Sequence, residues 1–113
     1  MIIIENTTPT VSFQMAYNGA AYDLSTATEV EISLKQYGLQ TPVLLTKTKT
    51  DNEVTISGDD NNIASAVFTQ QETAQLHRGQ AWVQCRVKAS DGTVLGELAT
   101  SIWVGEGLSA EVL

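Results

Sequence analysis

Apolar and polar residues alternate along much of the chain, with the period of two that is typical of half-buried β-strands. The clearest case is the segment 28–36, where Val30, Ile32 and Leu34 share one face and polar residues share the other. A second segment, 10–17, alternates in the same way. Its apolar positions are Val11, Phe13, Met15 and Tyr17. Each segment therefore predicts a strand that has one face in the core.

Turn signals divide the rest of the chain into further short strands. Asn18-Gly19 and Asp51-Asn52 are predicted turns, since Asn and Gly tolerate positive φ. The remaining strands are predicted at 1–8 (an edge strand or an arm), 42–49, 53–57 and 63–68. The inward face of 63–68 stays open, because two sets fit the core: Ile63, Ser65 and Val67, or Ala64, Ala66 and Phe68.

One short helix is predicted at residues 70–77. Thr69 and Glu72 have the spacing of a capping box, in which each side chain binds the other residue's backbone N–H. Gly79 is expected to end the helix. The helix would then close one end of the β structure.

The hairpin of residues 80–89 and 93–104 has the best-defined register in the chain. Its turn is predicted at Asp91-Gly92, a type I′ signature. Counting outward from that turn gives the pairs Val87 with Gly96, Cys85 with Leu98, Val83 with Thr100, and Ala81 with Ile102. The same register makes Arg86 and Glu97 a cross-strand ion pair on the other face.

These elements predict an all-β fold, an antiparallel immunoglobulin-like β-sandwich of about seven strands with one short helix. A chain of 113 residues suits one domain that folds without metal or disulfide support. We place that domain at residues 1–104. Residues 105–113 are predicted to be a C-terminal tail that leaves the domain.

Charge and composition exclude several classes of partner. Thirteen acidic residues against six basic ones give a net charge of −7, which argues against nucleic acid and against an anionic membrane surface. A single cysteine forms no internal disulfide. The opening MIII is too short for a signal peptide, and no stretch approaches the roughly 20 apolar residues of a membrane span. We therefore expect a protein that is made in the cytoplasm.

Catalysis and metal binding find little support in the residues. The one cysteine, Cys85, and the one histidine, His77, could form a nucleophile pair, but the register points Cys85 into the core. His77 is expected near the helix C-terminus, where a protonated imidazole would interact favourably with the last carbonyl groups of the helix. The acidic loop 57–62 could hold a hard cation but lacks EF-hand spacing, so a solvated turn is the better interpretation. We expect that the protein is not an enzyme and that it has no catalytic site, no metal site and no cofactor.

Two tryptophans mark the more promising surface. Trp82 points to the face opposite Cys85, and Trp103 is its diagonal neighbour across the hairpin. Together with Arg86 and Glu97 they form the candidate interaction surface. An exposed aromatic patch of this kind could dock another protein or stack a sugar.

Several segments resemble small structural proteins of phages and prophages of Gram-positive bacteria. These families have immunoglobulin-like domains related to the N-terminal domain of the baseplate upper protein. The resemblance covers about half the chain, in the segments DLSTATEVEISLKQ (23–36), FTQQETAQLHRGQAWVQCRVKASDGTVLGE (68–97) and SIWVG (101–105). The positions that match the family motifs are Asp23–Ala27, Thr69–Thr73, Gly79, Val83–Val87 and Asp91-Gly92.

The resemblance implies a virion component of the tail or baseplate, made in the bacterial cytoplasm and acting through protein–protein contacts. Its motifs are structural and contain no catalytic residues. The expected partners are other virion proteins or a second copy of the chain. The alternative is a carbohydrate-binding module that uses Trp82 and Trp103 as a stacking platform.

Overall fold

The alternating segments pair into two facing sheets in the computed structural model, which describes residues 1–38 and 42–109. Within these residues there are eleven strands and one helical turn. The strands are β1 (Ile2–Ile4), β2 (Thr10–Gln14), β3 (Ala16–Tyr17), β4 (Ala20–Ala21), β5 (Glu29–Gln36), β6 (Val43–Thr48), β7 (Val54–Ser57), β8 (Ile63–Val67), β9 (Gly79–Lys88), β10 (Val94–Gly96) and β11 (Thr100–Gly105). The helical turn, α1, is Gln70–Thr73.

The larger sheet, called the main sheet below, has the strand order β1-β11-β9-β5-β6, and β10 also pairs with β9. Its pairs are antiparallel except β1–β11, which is parallel. The second sheet has the order β2-β8-β7. The short strands β3 and β4 form a hairpin around Asn18-Gly19, and both turn residues have positive φ. This arrangement confirms an all-β sandwich with one short helix.

The core lies between the two sheets and is built from the predicted inward faces. Val30, Ile32 and Leu34 of β5 are fully buried. On β8 the inward residues are Ala64 and Ala66, which settles the open choice of face. Small side chains on β8 leave room for the large ones of β5.

The strand predicted at 10–17 is interrupted at Met15. Met15 donates its N–H to the Asn62 carbonyl at 2.7 Å, and the chain then turns into the β3–β4 hairpin. Met15 stays buried, but Tyr17 is 56% exposed. The prediction that Tyr17 faces the core is therefore wrong, since the hairpin leaves the plane of the second sheet.

The capping box at the start of α1 is confirmed. The Thr69 hydroxyl accepts from the Glu72 N–H at 3.1 Å, and the Glu72 carboxylate accepts from the Thr69 N–H at 2.8 Å. The helix ends at Thr73, however, four residues earlier than predicted. Gly79 does not cap it. With φ +143°, Gly79 begins β9 instead.

The segment after α1 is held by a buried amide. Gln36 is the last residue of β5, and its side chain is buried. This side chain accepts from the His77 N–H at 2.9 Å and donates to the His77 carbonyl at 2.7 Å. Leu76 is buried beside it. These bonds fix a non-helical backbone where the sequence predicts the last turn of the helix. His77 therefore does not interact with a helix C-terminus.

The helical turn also joins the N-terminal segment to the core. Thr73 is fully buried, and its hydroxyl lies 2.7 Å from the Thr7 carbonyl and 3.1 Å from the Thr7 N–H. Thr7 lies between β1 in the main sheet and β2 in the second sheet. The bonds to Thr73 therefore fix the point where the chain crosses from one sheet to the other.

A buried lysine ties α1 to the edge of the main sheet. Lys47 pairs with Ile32 across the β5–β6 ladder, so its side chain points into the sandwich. Its ammonium lies 2.8 Å from the Glu72 carboxylate and 3.6 Å from that of Glu53. A charge this far from water needs such partners.

The predicted hairpin register is correct at one end and wrong at the other. Val83 pairs with Thr100 and Ala81 with Ile102, as predicted. Nearer the turn the register is shifted by one residue, so that Leu95 lies opposite Val87 and Gly96 opposite Arg86.

The shift originates in the turn. The Gly92 N–H donates to the Ala89 carbonyl, and only Gly92 of the predicted turn pair has positive φ. This is a three-residue loop that ends in a left-handed glycine, and it adds one residue to the loop. Residues 97–99, which lie between β10 and β11, then restore the original register. The predicted pairs of Cys85 with Leu98 and of Arg86 with Glu97 do not form.

The substitution Glu72→Gln is expected to lower the free energy of unfolding by about 1–3 kcal/mol, because it leaves the buried Lys47 ammonium with a weaker partner. Chemical denaturation at neutral pH measures this loss. The matched control is Glu53→Gln, which removes the longer ion pair and should cost less. Equal losses for the two variants would contradict the assigned role of Glu72.

The stabilisation by Glu72 should also depend on pH. Burial raises the pKa of this carboxyl, but the hydrogen bonds from Lys47 and Thr69 outweigh it, and the pKa lies below the ordinary value of 4.5. The contribution is therefore complete above pH 4.5 and is lost as the pH falls through the folded-state pKa. The stability difference between the wild type and Glu72→Gln should shrink in acid, and a constant difference would contradict this account.

Candidate interaction surface

The outer face of the main sheet carries a groove of ≈ 500 Å³. It forms because the outward positions of neighbouring strands align across the ladder, with Trp82 of β9 between Ser101 of β11 and Lys35 of β5. Leu44 of β6 lies beyond Lys35. The lining residues are Glu31, Ser33, Lys35, Tyr37, Leu44, Thr46, Trp82, Val83, Gln84, Arg86 and Ala99.

Charged groups occupy defined places in this groove. The Arg86 guanidinium binds one Glu31 carboxylate oxygen through two nitrogens, at 2.7 and 2.8 Å. The Lys35 ammonium lies 4.8 Å from the centre of the Tyr37 ring, in a cation–π contact. The groove therefore combines aromatic surface with both signs of charge.

The four residues of the predicted surface do not all meet. Trp82 and Arg86 line the groove, and Trp82 is half-buried there. Trp103 lies on the same outer face, opposite Gln80, but does not line the groove. Glu97 lines a different and smaller cavity of ≈ 120 Å³. Arg86 takes Glu31 as its partner because Glu31 lies directly opposite it in the β5–β9 ladder, while the shifted hairpin register places Gly96 opposite it on the other side.

Trp103 belongs instead to an exposed apolar strip beside the edge of the sheet. Ile2 pairs with Trp103 across the β1–β11 ladder, and Ile4 follows on the same face. Ile2 is 68% exposed, Trp103 51% and Ile4 42%. We call these three residues the apolar margin. None of them carries a charge, in contrast to the groove.

Two groove residues were missed from the sequence, Tyr37 and Leu44. Both are more than half exposed. Tyr37 directly follows the last residue of β5, and it continues the series of outward positions 29, 31, 33 and 35. Leu44 lies in the run Val43–Leu45, where three consecutive apolar residues hide the alternation.

The cysteine and histidine do not form a site. Cys85 is fully buried opposite Ile32, while His77 is exposed at the end of the sandwich. Burial, followed by the nearby carboxylates of Glu97 and Glu31, raises the pKa of the Cys85 thiol to about 12. A thiol in this environment is a poor nucleophile at neutral pH.

Among residues 1–38 and 42–109, no group of three His, Cys, Asp or Glu side chains is arranged to hold a metal ion. In the same residues, no helix has the length and apolar character that a membrane crossing requires. The loop 57–62 contains Gly58 and Asn61, both with positive φ, and runs between β7 and β8. Its role as a solvated turn stays a prediction.

Comparison with known proteins shows the fold of the chain. No family model matches it, and no curated protein matches its sequence. Among solved structures it is similar to CopC from Methylosinus trichosporium OB3b, with 14% identity and a TM-score of 0.52 over 96% of this chain and 88% of that one.

Two further structures are similar at a lower level. Murine CRIg matches with 9% identity and a TM-score of 0.45, over 95% of this chain and 91% of that one. A chain from a structure of T cell activation by the superantigen toxic shock syndrome toxin-1 matches with 12% identity and a TM-score of 0.49, over 92% and 91%. At these identities the likeness concerns the fold alone. The chain is an immunoglobulin-like β-sandwich.

Native Cys85 is expected to resist alkylation by iodoacetamide near pH 8, because its thiol is buried and protonated. Mass spectrometry before and after denaturation measures the modification. The thiol should react fully once the chain is unfolded, which serves as the control. Rapid alkylation of the native protein would contradict the burial of Cys85 and reopen the nucleophile hypothesis.

Proposed function

We propose that this chain is a non-enzymatic building block of a phage or prophage particle, of the tail or baseplate type, which acts through protein–protein contacts. The observation that carries the proposal is the exposed apolar surface on the outer face of the main sheet. Interfaces concentrate aromatic and aliphatic side chains of this kind in their centres.

The residues that resemble phage structural proteins have structural roles in this fold. The Asp23 carboxylate accepts from the Ser25 N–H and hydroxyl at 2.8 and 2.6 Å, which shapes the entry to β5. Leu24 is fully buried, and Thr69–Thr73 forms the capped turn α1. The matching residues therefore determine how the domain is built. The support for a partner-binding role comes from the function of the phage proteins that share these motifs.

In this function the sandwich would act as a rigid support. The core and the ties around α1 hold the outer face in one shape, and rigid surfaces bind with a smaller loss of conformational entropy. The net charge of −7 favours solubility before assembly. Contact with neighbouring proteins would then cover the apolar margin and the rim of the groove.

The test is binding to the proteins encoded beside this chain, measured with purified components. Trp103→Ser should weaken such a complex at least tenfold, about 1.4 kcal/mol, because an exposed aromatic anchor is lost. The control is Val67→Ser, which removes a side chain that is 55% exposed on the second sheet. No complex with any neighbouring protein, or an effect of Val67→Ser alone, would contradict the proposal.

The groove favours a second candidate, a carbohydrate-binding module. An aromatic ring beside hydroxyl, amide and charged groups is a common arrangement for sugar recognition, and Trp82 and Tyr37 lie in one groove with Ser33, Thr46 and Gln84. Trp103 lies outside that groove, so the platform would be Trp82 with Tyr37.

Tryptophan fluorescence titrated with cell-wall sugars separates the two candidates. A sugar in the groove should change the emission of the wild type and of Trp103→Phe, while Trp82→Phe should lose the response. If no sugar changes the emission of the wild type, the carbohydrate candidate is rejected.

A further inference from the structure

The edge strand β1 has backbone groups that no strand within residues 1–38 and 42–109 pairs with on its outer side. The Met1 carbonyl accepts from the Trp103 N–H at 3.3 Å, and the Glu5 N–H donates to the Gly105 carbonyl at 3.1 Å. In a parallel ladder these groups alternate along the strand. The N–H and C=O groups of Ile2 and Ile4 therefore point away from β11. Of these groups, the Ile4 carbonyl accepts from the Thr7 hydroxyl at 2.6 Å and keeps its second lone pair for another donor.

The opposite edge of the main sheet is protected against pairing with another chain. Edge strands are blunted by inward-pointing charged residues and by proline. On β6 the Lys47 side chain points inward to Glu72, and Pro42 precedes the strand. By contrast, β1 consists of three isoleucines and has neither device.

The second sheet offers a different kind of edge. Its edge strands β2 and β7 expose polar side chains, Thr10, Ser12 and Gln14 on β2 and Thr55 and Ser57 on β7. Pairing there would bury polar groups without apolar gain. Of the edge strands β1, β6, β2 and β7, β1 is the one that is apolar and has neither an inward-pointing charge nor a proline.

We infer that β1 pairs antiparallel with β1 of a second copy of this chain, about a two-fold axis at Ile3. This inference deepens the proposed function, because it names one of the partners that the outer face would bind. The axis places Ile2 of one copy opposite Ile4 of the other. Such a pair exchanges both of its N–H···O bonds through the groups that point away from β11.

Side-chain direction and charge are compatible with this symmetry. Residues that lie opposite each other in an antiparallel pair share a face, so the apolar margins of the two copies adjoin on the outer side. Ile3 faces the core in both copies, since its side chain is buried. The margin carries no charge, which limits repulsion between two chains of net charge −7.

Because β1 is only three residues long, this pairing is expected to be weak in dilute solution and to strengthen where copies are held close together. Sedimentation equilibrium over a concentration series measures it. Ile2→Lys with Ile4→Lys should raise the dimer dissociation constant at least tenfold. The control is Val67→Lys on β8 of the second sheet, a side chain that is also more than half exposed, and this variant should leave the constant unchanged.

Amide hydrogen exchange tests the pairing without any substitution. The Glu5 N–H is bonded within the chain and should be protected at every concentration. The Ile2 and Ile4 N–H groups should gain protection only as the dimer forms. Unprotected Ile2 and Ile4 amides in a dimeric sample would overturn strand pairing but leave the proposed outer-face function intact. A dimer that Val67→Lys abolishes would also overturn strand pairing.

A chain that stays monomeric at all concentrations would also overturn this inference. Binding of neighbouring proteins by that monomer would still support the proposed function. Failure of both measurements would reject the two proposals together.

Discussion

The Glu72 carboxylate is the group on which the arrangement of the sandwich most depends. It accepts from the backbone N–H of Thr69, which starts the helical turn α1, and from the Lys47 ammonium, which comes from the edge strand β6. One side chain therefore fixes a local conformation and connects it to a distant strand. The cost of dehydrating the two charges offsets much of their attraction, so this half-buried salt bridge adds little net stability. Its main effect is to disfavour alternative positions of α1 relative to β6, since these would leave a buried charge without a partner.

Two further contacts spread from the same turn. Thr73 holds Thr7 and so sets where the chain passes from the main sheet to the second sheet. Gln36 holds the His77 backbone and so sets where β9 begins. Since β9 is a central strand of the main sheet and β1 leads into Thr7, the positions of the groove and of the apolar margin both follow from this small cluster.

The alternation of residue types was sufficient to predict β5 and the sandwich, and the spacing of Thr69 and Glu72 was sufficient to predict the capping box. Such patterns were not sufficient where a single residue changes the local geometry. The Asp91-Gly92 pair indicates a hairpin, but whether its loop has two or three residues depends on which residue takes positive φ. That choice decides whether Glu97 or Gly96 lies opposite Arg86 in the hairpin. Lys47 shows the same limit, because its polar character suggests an outward position and only its ion pair with Glu72 explains why it faces inward. The candidate surface was found in part: Trp82 and Trp103 were predicted from strand parity, while Tyr37 and Leu44 were hidden by a strand end and an apolar run.

The proposed function depends on a surface, and the Cys85 thiol is buried and protonated. The most direct test compares hydrogen–deuterium exchange of the free chain with that of the chain inside an assembled particle. We predict new protection of the Ile2 and Ile4 amides at the edge of the main sheet, and unchanged exchange at Ser12 and Thr55 on the second sheet. Protection confined to the second sheet, or no change anywhere on assembly, would contradict this prediction.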